Sequence, residues 1–451
     1  MAAPDGNDIE LSVIIPTHRD PECLELVLRS LTRQTLAPER FEVIVVRDGD
    51  HPGYETVVEA GKPLDLQLIT LPERRGRSAV RNHGIARARG RVMLFLDADS
   101  HASPELLQRH LGHHSDGPRV VVGRRLEMGP PQLHAILRSE TSVDDVVDPL
   151  CDDTRFPGGD SQIPMALRVP WMIAWAANVS VPRALVVAVD GFDEAFGTTW
   201  GWEDPELFYR IYVELDRDAE AFTYDHAALC HHLPHYRRLG DWYRDYADNL
   251  SRVQRKHPHL EWELTGWGPA AETARLLGHY RKVVTRIAES GAGRTAPVLP
   301  WISTRLEALG ATRVVWMGSG TENLPTGEGT VTFDFSRPPS ATNFHLLGVA
   351  MPLEDAGFDA VVNVDVWQHL GRPEFYHLVD ESVRVAGTLF LVIADAQPDG
   401  REAAMEKLVF LARGLGNHFH TELLAGDDEP GPMALRLQPA VETAAGEAGW
   451  R

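Results

Sequence analysis

The run Val92-Met-Leu-Phe-Leu-Asp-Ala-Asp-Ser100 constrains this chain more than any other stretch. Its apolar half reads as a buried strand that runs directly into two carboxylates one residue apart. In an extended chain residues i and i+2 project to the same side, so Asp97 and Asp99 face one ligand together. Two aligned carboxylates repel each other unless a cation or a set of donors lies between them. Divalent metal shared with substrate phosphates is the usual arrangement. The pattern predicts a chain that handles a phosphorylated substrate.

The flanking segments alternate between strand and helix patterns. Residues 11–16, 41–46, 66–71 and 91–97 read as strands, and 21–34 and 77–88 as helices. That alternation predicts an α/β fold with a parallel sheet, whose ligands bind beyond the carboxyl ends of the strands. Thr17, Asp48 and the Asp97/Asp99 pair all fall at such ends, so separate strands deliver polar groups to one rim. From 239 to 289 the pattern is helical and polar, 290–297 reads as a linker, and a second α/β pattern follows, with strands at 313–317, 330–335, 360–364 and 388–394. At 451 residues two domains are expected. The boundaries read as 8–265, a helical connector and linker at 266–296, a second domain at 297–440 and a flexible tail at 441–451.

Charge and cysteine usage exclude several classes. The formal net charge is −21 without a long basic run, which argues against a sequence-independent nucleic-acid surface. Cys23, Cys151 and Cys230 are far apart and form no Cys-x-x-Cys pair, so neither a disulfide framework nor a structural zinc site is expected. The first ten residues are polar and acidic rather than signal-like, and no apolar stretch approaches the roughly 20 residues that span a bilayer. The expectation is a cytoplasmic protein with no integral membrane segment and no nucleic-acid partner.

Six motifs now appear in order: Leu11-Ser-Val-Ile-Ile-Pro-Thr17, Val45-Val-Arg-Asp48, Gly76-Arg-Ser-Ala-Val-Arg-Asn82, Leu96-Asp-Ala-Asp99, Gly191-Phe-Asp-Glu194 and Trp202-Glu-Asp-Pro-Glu-Leu207. Together they resemble a family 2 glycosyltransferase of the GT-A fold over residues 8–265. The resemblance implies transfer of a sugar from a nucleotide diphosphate donor, expected to be a UDP-sugar, with inversion and with Mn2+ or Mg2+. Pro16, Thr17, Asp48, Asp97 and Ala98 then lie against the donor. Asp48 matches the position that meets the base; read alone, it is an ordinary turn residue in Asp48-Gly-Asp50. Arg77 and Arg81, one helical turn apart, are alternatives for the diphosphate, whose oxygens match the arginine fork. Both also fit a solvated basic face. Asn82 is an alternative there as a brace for the loop, and Asn178 reads as a structural asparagine or a donor contact. Asp99 is the implied direct metal ligand, with His231 or His232 as a further one. Glu203-Asp204 matches the acceptor-side pair that supplies the general base. Asp204 before Pro205 also reads as a helix N-cap with proline at N1. Trp200 and Trp202 offer flat faces for the acceptor.

Residues 297–440 resemble a class I S-adenosylmethionine-dependent methyltransferase through Val314-Val-Trp-Met-Gly-Ser-Gly-Thr321, Phe333-Asp-Phe-Ser336, the Met351–Asp359 segment, Asp365-Val-Trp-Gln-His-Leu370 and Arg384-Val-Ala-Gly-Thr388. Gly318, Gly320 and Asp334 mark the pocket implied. Trp316 stands where the family has an acidic residue, Glu322 replaces a glycine, and 334–351 leaves little room for a helix. These departures leave S-adenosylmethionine doubtful and predict a degenerate Rossmann-like domain serving acceptor docking or homodimer formation. The competing readings are a bifunctional glycosyltransferase/methyltransferase and a non-catalytic scaffold with vestigial sites. The acceptor, whether saccharide, peptide or natural product, is not identified by any pattern in 129–171.

Overall fold

The computed structural model describes residues 9–115, 117–129, 152–234, 239–266, 268–290, 293–324, 329–396, 398–426 and 431–440. Cys151, most of the 129–171 acceptor segment and the 441–451 tail lie outside them. The chain divides into two compact units, one comprising Met1–Ser251 with Gly266–Arg275, the other Arg252–Thr265 with Leu276–Arg451. Both are α/β.

The first unit is built on an eight-stranded mixed sheet in the order β3-β2-β1-β4-β7-β6-β8-β5. The strands are β1 (Leu11–Thr17), β2 (Phe41–Asp48), β3 (Leu66–Leu71), β4 (Val92–Leu96), β5 (Ser100–Ala102), β6 (Val120–Glu127), β7 (Asn178–Pro182) and β8 (Phe222–His232). β1 to β4 run parallel, as the strand–helix alternation predicts. Their continuous apolar runs fit a sheet covered on both faces. Val13, Ile15, Val43, Val45, Leu94 and Leu96 share one core cluster with Leu24, Val27, Leu28 and Leu31 of the helix Pro21–Leu31. That helix starts where expected: Asp20 accepts from the Cys23 N–H at 3.3 Å and Pro21 occupies the first turn. The far half of the sheet is not parallel throughout. β7 runs against β4 and β6, and β5 runs against β8.

The second unit carries a seven-stranded sheet in the order β11-β10-β9-β12-β13-β15-β14. Its strands are β9 (Val314–Met317), β10 (Thr330–Phe333), β11 (Asn343–Phe344), β12 (Ala360–Val364), β13 (Leu389–Ala396), β14 (Phe419–Ala425) and β15 (Gly431–Pro439). β15 lies antiparallel between β13 and β14; every other pairing is parallel. The sheet order reverses between β9 and β12, the kind of switch point at which open α/β sheets form a crevice. As the short 334–351 spacing predicts, no full helix separates β10 from β12 in the chain; the short edge strand β11, paired with β10, takes its place.

A buried carboxylate organises one loop of this unit. Glu263 accepts from the backbone N–H groups of Leu347, Gly348 and Val349 at 2.7, 2.7 and 2.8 Å. Burial pushes its pKa up to about 7, while those amides and that of Ala350 pull it down. Replacing Glu263 with Ala leaves these buried donors without their acceptor. The expected loss is about 3 kcal/mol of unfolding free energy in urea titrations, from roughly 1–3 kcal/mol per orphaned group. A loss below about 1 kcal/mol would mean that water replaces the carboxylate without penalty.

Candidate functional site

The first unit collects its polar groups at the carboxyl ends of β1, β2 and β4. Pro16 and Thr17 close β1, and the Thr17 hydroxyl lies 2.9 Å from that of Tyr54, a partner the sequence pattern did not indicate. Asp48 closes β2. Its Oδ1 accepts from the Arg75 N–H at 2.6 Å and its Oδ2 from the Gly76 N–H at 3.0 Å. Asp48 therefore fixes the loop that leads into the helix Arg77–Ile85, whatever else it touches. Gly76 needs to be glycine: its φ is +89° and an added Cβ would overlap the carbonyl of Gly197. Arg77 opens the helix, half-buried.

Beyond β4 the chain turns sharply. The Ser100 N–H donates to the Asp97 carbonyl at 3.0 Å, so Asp97, Ala98 and Asp99 form the corner between β4 and β5. β5 then pairs with β8, with Ser100 opposite His232 and His101 opposite His231. The Leu233 N–H donates to the Asp99 carbonyl at 2.8 Å. This register sets His232 Nε2 3.4 Å from Asp99 Oδ2. His232 Nδ1 lies 2.6 Å from Glu127 Oε2, because β6 runs beside β8 with Glu127 paired to His232.

Of the two adjacent histidines, the structure brings His232 and not His231 to Asp99. Neighbouring strand residues point to opposite faces. His231 is buried and, among the described residues, has no hydrogen-bond partner at either ring nitrogen; desolvation pushes its pKa down to about 4. It is a neutral core residue.

An oxygen–imidazole pair with a carboxylate on the far imidazole nitrogen is a donor set suited to a divalent cation. Among the described residues no cluster of three His, Cys, Asp or Glu side chains forms a closed cage. A hard cation held here takes its other ligands from phosphate oxygens and water, the open coordination typical of phosphate-handling sites.

Arg81 lies on the inner side of the same rim. Its guanidinium, 1% exposed, donates to Asp97 Oδ1 and Asp204 Oδ1, each at 3.0 Å, and approaches Glu203 Oε1 at 3.5 Å. The Phe192 ring centroid lies 5.2 Å from its central carbon. A buried cation is costly unless paired. Burial works against its charge, but Asp204, Asp97 and Glu203 outweigh burial and raise its pKa. Sequence spacing left Arg77 and Arg81 as equivalent candidates for an anionic ligand; the structure commits Arg81 to these carboxylates. Three acids around one base leave an excess of negative charge. Desolvation, Glu203 and Asp97 push the Asp204 pKa up to about 7, against the pull of Arg81 and the Ala176 N–H. Glu203 Oε2 is buried and has no hydrogen-bond partner among the described residues.

One local expectation is corrected. Asp204 is not the helix N-cap, nor Pro205 the first helical residue. The helix spans Glu203–Glu214 and Trp202 caps it in the left-handed region at φ +72°, after Gly201 at +95°. Contacts distant in sequence impose this turn. The Trp202 indole N–H donates to the Tyr246 carbonyl at 3.0 Å, Asp245 accepts from the Trp200 N–H at 3.0 Å, and Asn249 donates to the Trp200 and Gly201 carbonyls at 3.2 and 3.0 Å. The Asp204 carboxylate is thereby turned away from its own helix to Arg81 and to the Ala176 N–H at 3.0 Å. Trp202 is buried against Tyr246 and Trp200 stacks on that ring with centroids 6.1 Å apart. Only Trp200 keeps partial exposure. Asn82 holds Phe192 and Glu194, and Asn178 holds the Arg124 and Ala228 carbonyls.

In the second unit, Gly318 and Gly320 follow β9 and Asp334 follows β10. Asp334 is fully buried, and its oxygens accept from Thr321 at 3.0 and 2.8 Å and from Ser336 at 2.8 and 2.5 Å.

Residues 12–154 match glycosyl transferase family 2. The chain is 33% identical over 393 residues, 78% of its length and 83% of the relative's, to validoxylamine A glucosyltransferase of Streptomyces hygroscopicus subsp. limoneus. Among solved structures it is similar to Staphylococcus aureus TarS 1–349 in complex with UDP-GlcNAc, at 17% identity and TM-score 0.39, covering 60% of this chain and 70% of that one. It is also similar to the mannosyltransferase PcManGT of Pyrobaculum calidifontis in complex with GDP-Man and Mn2+, at 18% identity and TM-score 0.40, covering 68% and 83%.

The Gly76 environment generates a direct test. Gly76→Ala forces a left-handed φ on a residue with a side chain and drives it into the Gly197 carbonyl. It is expected to destabilise the chain by about 2 kcal/mol or more. Thermal melts that coincide with wild type would show that the Arg75–Gly76 loop is not held as described.

Proposed function

The chain belongs to glycosyl transferase family 2, and from that premise we propose that it is a metal-dependent, inverting transferase that moves a hexosyl group from a nucleotide diphosphate donor, a UDP-sugar, to an acceptor hydroxyl. Its likeness to a relative named as a glucosyltransferase supports the hexosyl donor. The observation that carries the reading is the adjacency, across the Asp97-Ala-Asp99 corner, of the Asp99–His232–Glu127 relay and the Asp97–Arg81–Asp204 cluster.

In this reading Pro16, Thr17, Asp48, Asp97 and Ala98 form the donor wall, and Arg77, on the same helix as the committed Arg81, meets the diphosphate. Asp99 and His232 would hold Mn2+ or Mg2+, with Glu127 orienting the imidazole. The cation, when bound, neutralises charge on the departing diphosphate. On the opposite side, Asp204 takes the proton of the acceptor hydroxyl as its oxygen bonds to the anomeric carbon. The bond from that carbon to the diphosphate oxygen breaks, and its electron pair leaves with the nucleoside diphosphate. A carboxyl raised towards neutrality is a stronger base than an ordinary aspartate once it is ionised. Glu203 and the partly exposed Trp200 line the acceptor side. For the second unit, the sheet order, with one antiparallel strand inserted beside the last parallel strand, supports the Rossmann-like, methyltransferase-type reading of its fold.

Calorimetric titration with UDP tests the donor side. Mn2+ should be required for tight binding, and Asp99→Ala or His232→Ala should remove that requirement together with the affinity. Metal-independent UDP binding by wild type would refute the assigned ligand pair. Asp204→Asn should retain UDP binding and lose about 10²–10⁴ in transfer rate; wild-type turnover would end its role as base.

The pH profile follows from the raised Asp204 pKa. The base must be ionised, so the rate should fall as pH drops through about 7 rather than through the ordinary carboxylate range. Arg81 lowers that pKa, so Arg81→Gln should move the acid limb to higher pH, while Arg81→Lys keeps it closer to wild type. An acid limb at ordinary aspartate values, unmoved by Arg81→Gln, would sever the proposed link between Arg81 and the base.

A further inference from the structure

The crevice of the second unit opens between the carboxyl ends of β9 and β12, where the strand order reverses. In open α/β sheets this is where a ligand lies, against the loop that follows the first strand. Here another part of the same chain lies there. Arg294 bridges to Ser319 as a parallel β-strand pair. The Ser319 N–H donates to the Gly293 carbonyl at 2.8 Å, and the Thr295 N–H donates to the Ser319 carbonyl at 3.0 Å. The Thr295 hydroxyl adds a bond to the Gly320 carbonyl at 3.0 Å.

The approach is tight on both sides of the switch point. A Cβ placed on Gly293, whose φ is +73°, would meet the Val364 carbonyl at the end of β12 at 2.5 Å. A Cβ on Gly318 would meet the Gly293 carbonyl at 2.6 Å. Gly293 thus fits between the two central strand ends because it has no side chain. Gly318 is small for the same reason, and its neighbour here is the chain itself.

The remaining donors of the loop are also engaged. The Gly320 N–H donates to the Ser336 hydroxyl at 3.3 Å and the Thr321 N–H to Asp334 Oδ2 at 3.0 Å. Asp334, at the strand end where a ribose-binding acid belongs in dinucleotide sheets, is surrounded by Thr321 and Ser336. Backbone donors that hold a cofactor phosphate or carboxylate in such loops are spent here on internal partners.

We infer that residues 293–295 are a built-in occupant of this crevice, so that the second unit keeps its fold without a nucleoside cofactor and the chain carries a single transferase activity. The segment satisfies the Ser319 N–H and the Ser319 and Gly320 carbonyls, while Ser336 and Asp334 take the Gly320 and Thr321 N–H groups, so the loop donors are met from within the chain. Gly318 and Gly320 are retained for backbone packing rather than for ligand approach.

Two measurements on the full chain test this. Titration with S-adenosylmethionine and S-adenosylhomocysteine, which carry no diphosphate for the first unit, should produce neither heat nor a rise in melting temperature. Binding of either to the wild-type chain overturns the inference. Hydrogen exchange read by mass spectrometry on the peptide holding Ser319 should show protection in wild type. In Gly293→Ala it should speed up about ten-fold or more, since one displaced backbone hydrogen bond lowers the local opening free energy by about 1.4 kcal/mol. Thr295→Ala, which removes a hydroxyl without steric conflict, should raise it by a smaller factor and serves if the first variant does not fold. Exchange at that peptide unchanged in Thr295→Ala, and unchanged in Gly293→Ala where that variant folds, would show that the segment does not hold the crevice closed.

Discussion

The site depends on one buried cation. Arg81 connects the corner that ends β4 to the first turn of the helix Glu203–Glu214, segments more than a hundred residues apart, through hydrogen bonds of 3.0 Å to Asp97 and Asp204. A guanidinium can do this because its donors leave in a fixed planar fork; a lysine ammonium has no such preset geometry. Charge balance gives the arrangement direction. Burial disfavours the charged form of Asp204, and one positive group among three carboxylates does not neutralise them all, so its proton affinity is raised.

Much of the first unit was legible because its signals are local. The apolar runs of β1, β2 and β4 carry their own strand pattern, and the helical spacing that begins at Pro21 is reproduced by a helix that starts there. Carboxylates at strand ends point to a rim without knowledge of the strand order. The second unit was readable for the same reason: the short distance from Asp334 to Met351 announced a missing helix.

What the sequence hid is non-local. Nothing near Glu127 marks it as the partner of His232, since only the β6–β8 pairing brings the two together. The helix start at Glu203 was misplaced because Asp204-Pro205 satisfies the local capping rules, while Tyr246, Asp245 and Asn249 override them from another helix. Arg77 and Arg81 share a helix face by spacing, and only the tertiary position of Asp97 and Glu203-Asp204 separates a half-buried arginine from a core one.

The choice between the tandem histidines has a source further along β8. Pairing with β6 proceeds from Val120 opposite Phe222 to Gly123 opposite Asp225, then resumes with Arg124 opposite Leu229, leaving 226–228 bulged. Asn178 pins the bulge from both sides by donating to the Arg124 and Ala228 carbonyls, and His110, on a neighbouring helix, holds the Asn178 oxygen at 2.8 Å. Because a strand alternates its faces, lengthening or shortening that bulge by one residue would exchange His231 for His232 at Asp99 and send the Glu127 partner into the core. The chemical identity of the rim is thus a matter of counting. A change at 226–228 that leaves every rim residue intact would rewrite which of them face one another.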